Sequence, residues 1–68
     1  MHFIHIITDQ TDDNGDTLIH TVKAKSADLP TFTASLNAGG DYANIMDCYG
    51  TVHYVRRMDI HAVEIDPA

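Results

Sequence analysis

The sequence predicts one small α+β domain over residues 1–68, with its elements in the order ββαβββ. Segments rich in β-branched and aromatic residues alternate at period two near both ends of the chain. An Asn-Gly pair between the first two of these segments is typical of a hairpin, and only one segment has the spacing of an amphipathic helix. We therefore expect a small mixed or antiparallel sheet with one short helix packed on one face.

The first two strands are predicted at His2–Thr8 and Thr17–Lys25. Between them lies the acidic segment Asp9–Asp16, which contains Asn14-Gly15. This pair favours a tight turn because both residues tolerate positive φ angles. The two strands are therefore expected to form an antiparallel hairpin.

The register of this hairpin follows from which side of each strand is apolar. The residues expected on the buried face are all even-numbered: Ile4, Ile6, Leu18, Val22 and Ala24. This grouping keeps Lys23 and Lys25 outside, and it requires an odd number of loop residues. A three-residue loop, Asp13-Asn14-Gly15, satisfies the condition if Gly15 adopts a left-handed conformation beside a β-bulge. A two-residue turn would instead place Ile6 opposite Lys23.

The segment Ser26–Ala38 is the one predicted helix. Its apolar face is expected to hold Leu29, Phe32, Thr33 and Leu36. Ser26 or Asp28 can cap the N-terminus, and Pro30 is tolerated only within the first turn. Gly39-Gly40 ends the helix.

A third strand is predicted within Asp41–Tyr49, although this segment is also compatible with continued helix. As a strand, it buries Ile45 and turns Asn44 and Met46 to the opposite side. Gly50 then provides the turn into the next segment.

The segment Thr51–Ile65 predicts two further strands, separated by a polar interruption at Arg56–Asp59. Val52 and Tyr54 point to one side of the first of these strands. Both strands are apolar on both faces, which predicts that they lie inside a sheet and not at its edge. A single turn of 3₁₀ helix fits the interruption. The segment resembles the last two strands of SH3-like small barrels, which are joined by such a turn.

A chain of 68 residues is near the lower limit for independent folding, so its core is small. The predicted core consists of Ile4, Ile6, Leu18, Val22, Phe32, Leu36, Ile45, Val52, Tyr54, Ile60, Val63 and Ile65. A core of this size does not also enclose a deep substrate cavity, which favours a protein without enzymatic activity and without a cofactor.

The formal net charge of −6 comes from ten acidic residues against four basic ones. Such a chain lacks the basic surface of a nucleic-acid binder or of a protein that binds an anionic membrane. Cys48 is the only cysteine, which is typical of a reducing compartment, and no charged leader followed by an apolar block precedes the first strand. We therefore expect a cytoplasmic protein.

The candidate partner-binding residues are charged. Four acids lie close together on the first loop: Asp9, Asp12, Asp13 and Asp16. With Gly15 at the sixth position of a calcium-binding loop, Gln10 and Thr21 would occupy the first and last ligand positions, so the calcium pattern is not met. The acids are instead candidates for contact with a basic partner. Arg56-Arg57 is the only basic cluster and either binds an anionic group or forms a polar turn in which an arginine reaches Asp59 or Asp47.

The five histidines and Cys48 suggest a metal site by number but not by spacing. A site assembled across strands from His5, His20 and His61 stays an alternative to half-exposed strand positions. No motif around Cys48 indicates a nucleophile, and a free cysteine is usually a small apolar residue of the interior.

The sequence therefore favours a protein–protein interaction module of the kind that bacteria, phages and plasmids encode. One alternative is a phage or mobile-element inhibitor whose acids bind a nucleic-acid-handling protein, and another is a histidine-based metal-binding protein. Because the core is marginal and strands are apolar on both faces, we also expect a symmetric homodimer.

Overall fold

The computed structural model describes residues 1–68 and confirms the α+β class with one short helix. The strands and the helix are β1 (His2–Thr11), β2 (Thr17–Ala24), α1 (Leu29–Asn37), β3 (Tyr42–Met46), β4 (Val52–Arg56) and β5 (Ile60–Pro67). A 3₁₀ turn at Ser26–Asp28 precedes α1, and a second one at Arg57–Asp59 joins β4 to β5, as the polar interruption predicted.

The strands form two antiparallel sheets, whereas the sequence suggested one. The order is β2-β1-β5 in the first sheet and β3-β4 in the second. The separation arises because α1 is inserted between β2 and β3 and lies along the outer edge of β3. There the Ser35 Oγ accepts a bond of 2.8 Å from the backbone N–H of Asn44. The sheets are linked by a 2.8 Å bond from the N–H of Cys48 to the carbonyl of Lys23.

The first hairpin has the predicted even-sum pairing, but the predicted loop would place Ile6 opposite Val22, and the irregularity between Ile7 and Thr11 shifts the ladder so that Ile6 lies opposite His20. Ile4 pairs with Val22, so the paired numbers have an even sum. The N–H of Gly15 donates to the carbonyl of Asp12 (3.0 Å), and the φ angle of Gly15 is 84°. The three-residue loop and its left-handed glycine are therefore confirmed.

Strand β1 is three residues longer than predicted, because its pairing with β2 resumes at Thr11, opposite Thr17, after an irregular stretch that begins at Ile7. The hydroxyl of Thr8 donates to the carbonyl of Leu18 (2.8 Å) in this irregular region. The side chain of Leu18, which was expected in the core, is 42% exposed.

The hairpin β3–β4 turns in the same way as the first one. The segments Asp12–Asp16 and Asp47–Thr51 both read Asp-x-x-Gly-x, and the two glycines have φ angles of 84° and 86°. In each turn, the Oδ1 atom of the aspartate accepts bonds of 2.9–3.0 Å from the N–H groups two and four residues later. One short pattern therefore specifies both turns.

Helix α1 begins later than predicted and has no side-chain cap from Ser26 or Asp28. The Oγ of Ser26 lies 3.0 Å from Nδ1 of His2 instead. Phe32 is buried at 2% exposure and anchors the helix on the sheet. The left-handed Gly39 (φ 76°) follows the last turn, as expected for a glycine after a helix.

The core contains fewer residues than predicted. The buried side chains are Ile4, Ile6, Val22, Ala24, Phe32, Ala43 and Ile45. Four expected core residues are exposed instead: Leu18, Val52, Tyr54 and Ile65. In β4 the reason is the register, because His53 lies opposite the buried Ile45, so Val52 and Tyr54 face outward.

The prediction that the last two strands lie inside a sheet is also wrong. Strand β4 pairs only with β3, and β5 pairs only with β1, so each lies at an edge. The apolar residues on the second face of β4 are exposed to solvent and are not covered by another strand.

We expect Gly15→Val and Gly50→Val each to lower the free energy of unfolding by about 1–2 kcal/mol, the cost of a left-handed conformation for a residue with a Cβ. No atom lies within 4 Å of an added Cβ at either site, so the backbone alone causes the loss. Urea denaturation measures it. The matched Gly→Asn variants should lose clearly less, since Asn tolerates positive φ. Equal losses for Val and Asn would contradict this explanation.

Candidate protein-binding site

The hairpin β3–β4 presents one exposed face that is rich in tyrosine and methionine. Alternating residues of the two strands share this face, which we call the tyrosine face: Tyr42, Asn44, Met46, Val52, Tyr54 and Arg56. Tyr49, at the turn, lies at one end of it, and Met58 lies at the other end, where its Sδ is 3.1 Å from Nη2 of Arg56. The face therefore runs along the full length of the hairpin.

The apolar groups of this face are open to solvent. Tyr54 is 66% exposed, Tyr42 is 53% exposed and Tyr49 is 89% exposed, so all three tyrosines of the chain lie at this hairpin. Arg56 is the only charged residue of the two strands, although the chain has ten acids. Tyr, Met and Arg are enriched at the centre of protein–protein interfaces, where acidic residues are depleted.

The opposite side of the hairpin fixes it to the rest of the protein. Ala43 and Ile45 are 1% and 2% exposed, and Ile45 belongs to the same buried cluster as Phe32. The hydrogen bond between Asn44 and Ser35 attaches β3 to the helix. The tyrosine face is therefore supported by packed side chains and by backbone bonds.

Arg57 is structural, and its partners are not the predicted ones. No arginine lies within 4.0 Å of an acidic group, so the expected pairs with Asp47 and Asp59 are wrong. The guanidinium instead donates to backbone carbonyls at the end of α1, those of Ser35, Leu36 and Gly40. Ser35 and Leu36 belong to the last turn of α1, which is the negative end of the helix dipole, and Gly40 follows shortly after it, so a cation is favourable there.

A shallow depression of about 410 Å³ lies beside the tyrosine face. It is lined by Gly40, Asp41, Tyr42, Arg56, Arg57 and Met58. Because the guanidinium of Arg57 is bound to the helix, Arg56 and Asp41 are the charged groups that a molecule in this depression would meet. The predicted candidate Arg56 is therefore accessible, at the rim of the face.

The turn of the hairpin is stabilised by an ionisable pair. Oδ2 of Asp47 lies 2.8 Å from Nε2 of His53, and the carboxylate is only 16% exposed. The bond from His53, together with the N–H groups of Thr51 and Tyr49, holds the pKa of Asp47 below its ordinary value of 3.8 and outweighs the effect of partial burial. The ionised form of Asp47 is therefore favoured in the folded state.

The four candidate acids lie on and beside the β1–β2 turn. Oδ1 of Asp12 accepts hydrogen bonds from the N–H groups of Asn14 and Asp16. Oδ1 of Asp9 lies 3.7 Å from Nδ1 of His61. All four residues are exposed. No aromatic residue lies within the turn itself, so the acids have no neighbouring anchor of the kind that dominates binding energy.

The histidines are dispersed over the fold. His5 and His20 lie on opposite faces of the first sheet, so the site considered across His5, His20 and His61 does not assemble. No group of three His, Cys, Asp or Glu residues is arranged to hold a metal ion. The rings of His20 and His53 lie 5.2 Å apart, beside Asp47.

One histidine lies in an acid–histidine–hydroxyl chain on the outer face of the first sheet. Nε2 of His5 is 3.1 Å from Oδ2 of Asp66, and Nδ1 is 3.1 Å from Oγ1 of Thr21. Such a chain orients an imidazole, but acyl-transfer chemistry also requires a substrate cleft and oxyanion donors. The depression beside the tyrosine face is lined by other residues.

Comparison with protein-family models, with curated proteins and with solved structures finds no significant match to this chain. None of its helices has the length and apolar character needed to cross a membrane.

Replacing Arg57 by Ala should lower the free energy of unfolding by roughly 2 kcal/mol, because several helix-end carbonyls lose a charged donor. Arg56→Ala is the matched control and should change it by less than about 0.5 kcal/mol, as for an ordinary surface residue. Arg57→Lys should recover only part of the loss, since an ammonium lacks the planar fork. Equal losses at the two arginines in urea denaturation would contradict the assignment.

The stabilising effect of Asp47 should depend on pH. Because its pKa is lower in the folded state than its ordinary value of 3.8, ionised Asp47 stabilises the fold above pH 3.8, and this contribution is lost as the pH falls through the folded pKa. Asp47→Asn keeps an Oδ1 acceptor for the turn but removes the charge. The variant should be less stable than wild type at pH 6, and the difference should shrink as the pH falls below 3.8 and through the lowered pKa of folded Asp47. Thermal unfolding across this range measures the difference, and a pH-independent gap would contradict the proposed cause.

Proposed function

We propose that this chain is a small non-enzymatic protein-binding module of the cytoplasm that binds its partner through the tyrosine face. The observation that carries this proposal is the exposure of all three tyrosines at one hairpin whose strands contain no acid. The single unpaired Cys48 supports a reducing compartment.

The size of the exposed surface supports a binding role. At about 150–250 Å² per aromatic side chain, the three tyrosines together expose on the order of 400 Å². This equals the largest apolar patch of a typical monomer, which is often functional. A standard interface covers about 800 Å² on each partner. The tyrosines therefore suffice as central anchors, and the partner also contacts the polar residues around them.

The chemistry of the face indicates how it binds. Tyrosine combines a large apolar ring with a hydroxyl that can form hydrogen bonds, and it loses little conformational entropy when it is buried. Arg56 and Asp41, at the rim beside the shallow depression, offer charged contacts to a partner. We infer that the rings supply most of the affinity and that the rim supplies specificity.

We also propose an SH3-like arrangement for the strands. Two observations support it: the 3₁₀ turn between β4 and β5, and the return of β5 to pair with β1. The helix between β2 and β3 is a departure from a simple small barrel.

The proposal is tested by affinity capture from an extract of the source organism, using three versions of the tagged chain. These are the wild type, a face variant (Tyr42→Ser with Tyr54→Ser), and a tip variant (Asp9→Asn, Asp12→Asn, Asp13→Asn and Asp16→Asn). The substituted tyrosines are exposed, and the Asp12→Asn change keeps an Oδ1 atom that accepts the turn bonds, so circular dichroism should show three intact folds.

A protein captured by the wild type and the tip variant, but not by the face variant, is the expected result. With that protein purified, each Tyr→Ser change should weaken binding about tenfold or more, as for an interface anchor. Capture that survives in the face variant would contradict the proposal. Capture that is lost only in the tip variant, and that weakens with salt, would instead support the acidic-inhibitor alternative.

A further inference from the structure

Strand β4 has one edge without a backbone partner, which we call the β4 edge. The pairs Asp47–Thr51 and Asp41–Arg57 are joined by bonds of 2.9 and 2.8 Å at the two ends of the β3–β4 ladder. Because bonded and non-bonded pairs alternate in an antiparallel ladder, every second residue of β4 directs its N–H and C=O away from β3. These residues are Val52, Tyr54 and Arg56. No other strand pairs with β4.

The other edges of the two sheets either have at least one hydrogen bond to another part of the chain or belong to an acidic strand. The outer edge of β3 faces α1, where the N–H of Asn44 already has its partner in Ser35. Strand β2 also carries no acid, and at its outer edge the carbonyl of Lys23 accepts a bond from the N–H of Cys48. The free edge of β5 belongs to a strand with two acids, Glu64 and Asp66. Among the strands without acids, β2 and β3 each already have a hydrogen bond at the outer edge, and no such bond is found at the β4 edge.

We propose that the β4 edge pairs with the β4 edge of a second copy of this chain, antiparallel about a two-fold axis at Tyr54. Tyr54 then lies opposite the partner's Tyr54, and Val52 lies opposite Arg56 of the partner subunit. All the outward backbone groups of both strands find partners, so the strand is self-complementary. The interface uses the edge of the strand, and it is independent of the proposed binding role of the tyrosine face.

Electrostatics favour this contact over one through an acidic surface such as the edge of β5. Each copy carries a net charge of −6, so two copies repel wherever their acids approach each other. The β4 edge brings together strands without acids. The pairing also separates the two Arg56 side chains by about 13 Å along the strand, four residues at about 3.3 Å each, which exceeds the screening length of about 8 Å at physiological salt.

The dimer has a consequence for the tyrosine face. Because the side chains of Val52, Tyr54 and Arg56 all point to that face, edge pairing leaves it exposed. A continuous sheet of four strands forms, in the order β3-β4-β4-β3, and the two tyrosine faces become one surface with six tyrosines.

Sedimentation at tens of micromolar tests the pairing. The wild type should sediment with twice the chain mass of 7.5 kDa. Tyr54→Pro removes an N–H directed away from β3, so the hairpin keeps its own bonds while the dimer is lost. Ile65→Pro is the matched control. The N–H of Ala68 donates to the carbonyl of Met1 (3.1 Å), and bonded and non-bonded pairs alternate along the β1–β5 ladder. The N–H of Ile65 therefore points away from β1, as that of Tyr54 points away from β3. Ile65→Pro should leave the dimer intact.

Disulfide trapping keeps the proposal testable if Tyr54→Pro fails to fold. In a Cys48→Ser background, Tyr54→Cys should form a disulfide-linked dimer on oxidation, because directly paired residues have Cα atoms about 5.5 Å apart. Val52→Cys should not, since the two copies of that residue lie about 13 Å apart. A monomeric wild type, a dimer unaffected by Tyr54→Pro, or equal trapping at both positions would overturn the proposal. A monomer that still captures a partner through the tyrosine face would overturn the dimer alone.

Discussion

The guanidinium of Arg57 binds the carbonyl groups at the C-terminal end of α1, and the position of the hairpin β3–β4 depends on this contact. The helix has nine residues and no side-chain cap at its start, so it is weak by itself. Phe32 packs the helix against the sheet, and Arg57, in the 3₁₀ turn after β4, donates hydrogen bonds to carbonyls at its C-terminal end. Helix and hairpin are thereby joined into one support for the exposed tyrosines.

Local patterns in the sequence predicted the first hairpin because its faces differ clearly in polarity. The even-sum rule gave the faces that pair, and the Asn-Gly pair gave the turn, whereas the irregularity between Ile7 and Thr11, which no pattern predicted, set the final register. The same reasoning fails for β4, where both faces are apolar and the period alone does not tell which is buried. The repeated Asp-x-x-Gly pattern identifies the loop length of the second hairpin, and the loop length determines which face of β4 is buried. A three-residue loop after Asp47 pairs the correctly predicted Ile45 with His53, which turns Tyr54 outward.

The charged candidate residues illustrate what sequence reasoning can miss about a site. Clusters of charge are visible along the chain, whereas an exposed apolar face depends on the register of two strands. Arg56 and Arg57 are neighbours in sequence, yet one lies at the rim of the tyrosine face and the other is bound to a helix end. The partners of Arg57 are backbone carbonyls, which carry no sequence signal. Tertiary contacts therefore decided both the site and the separation of the strands into two sheets.

The two equivalent turns have a consequence for how this fold can change. The aspartate and the glycine supply all the side-chain and φ requirements of each turn, so the two residues between them are not needed to form it. In one turn these residues are Asp13 and Asn14, and in the other they are Cys48 and Tyr49. Mutation can therefore exchange a charged tip for an aromatic one at little cost to stability, and such a scaffold can acquire new specificities while its backbone stays the same.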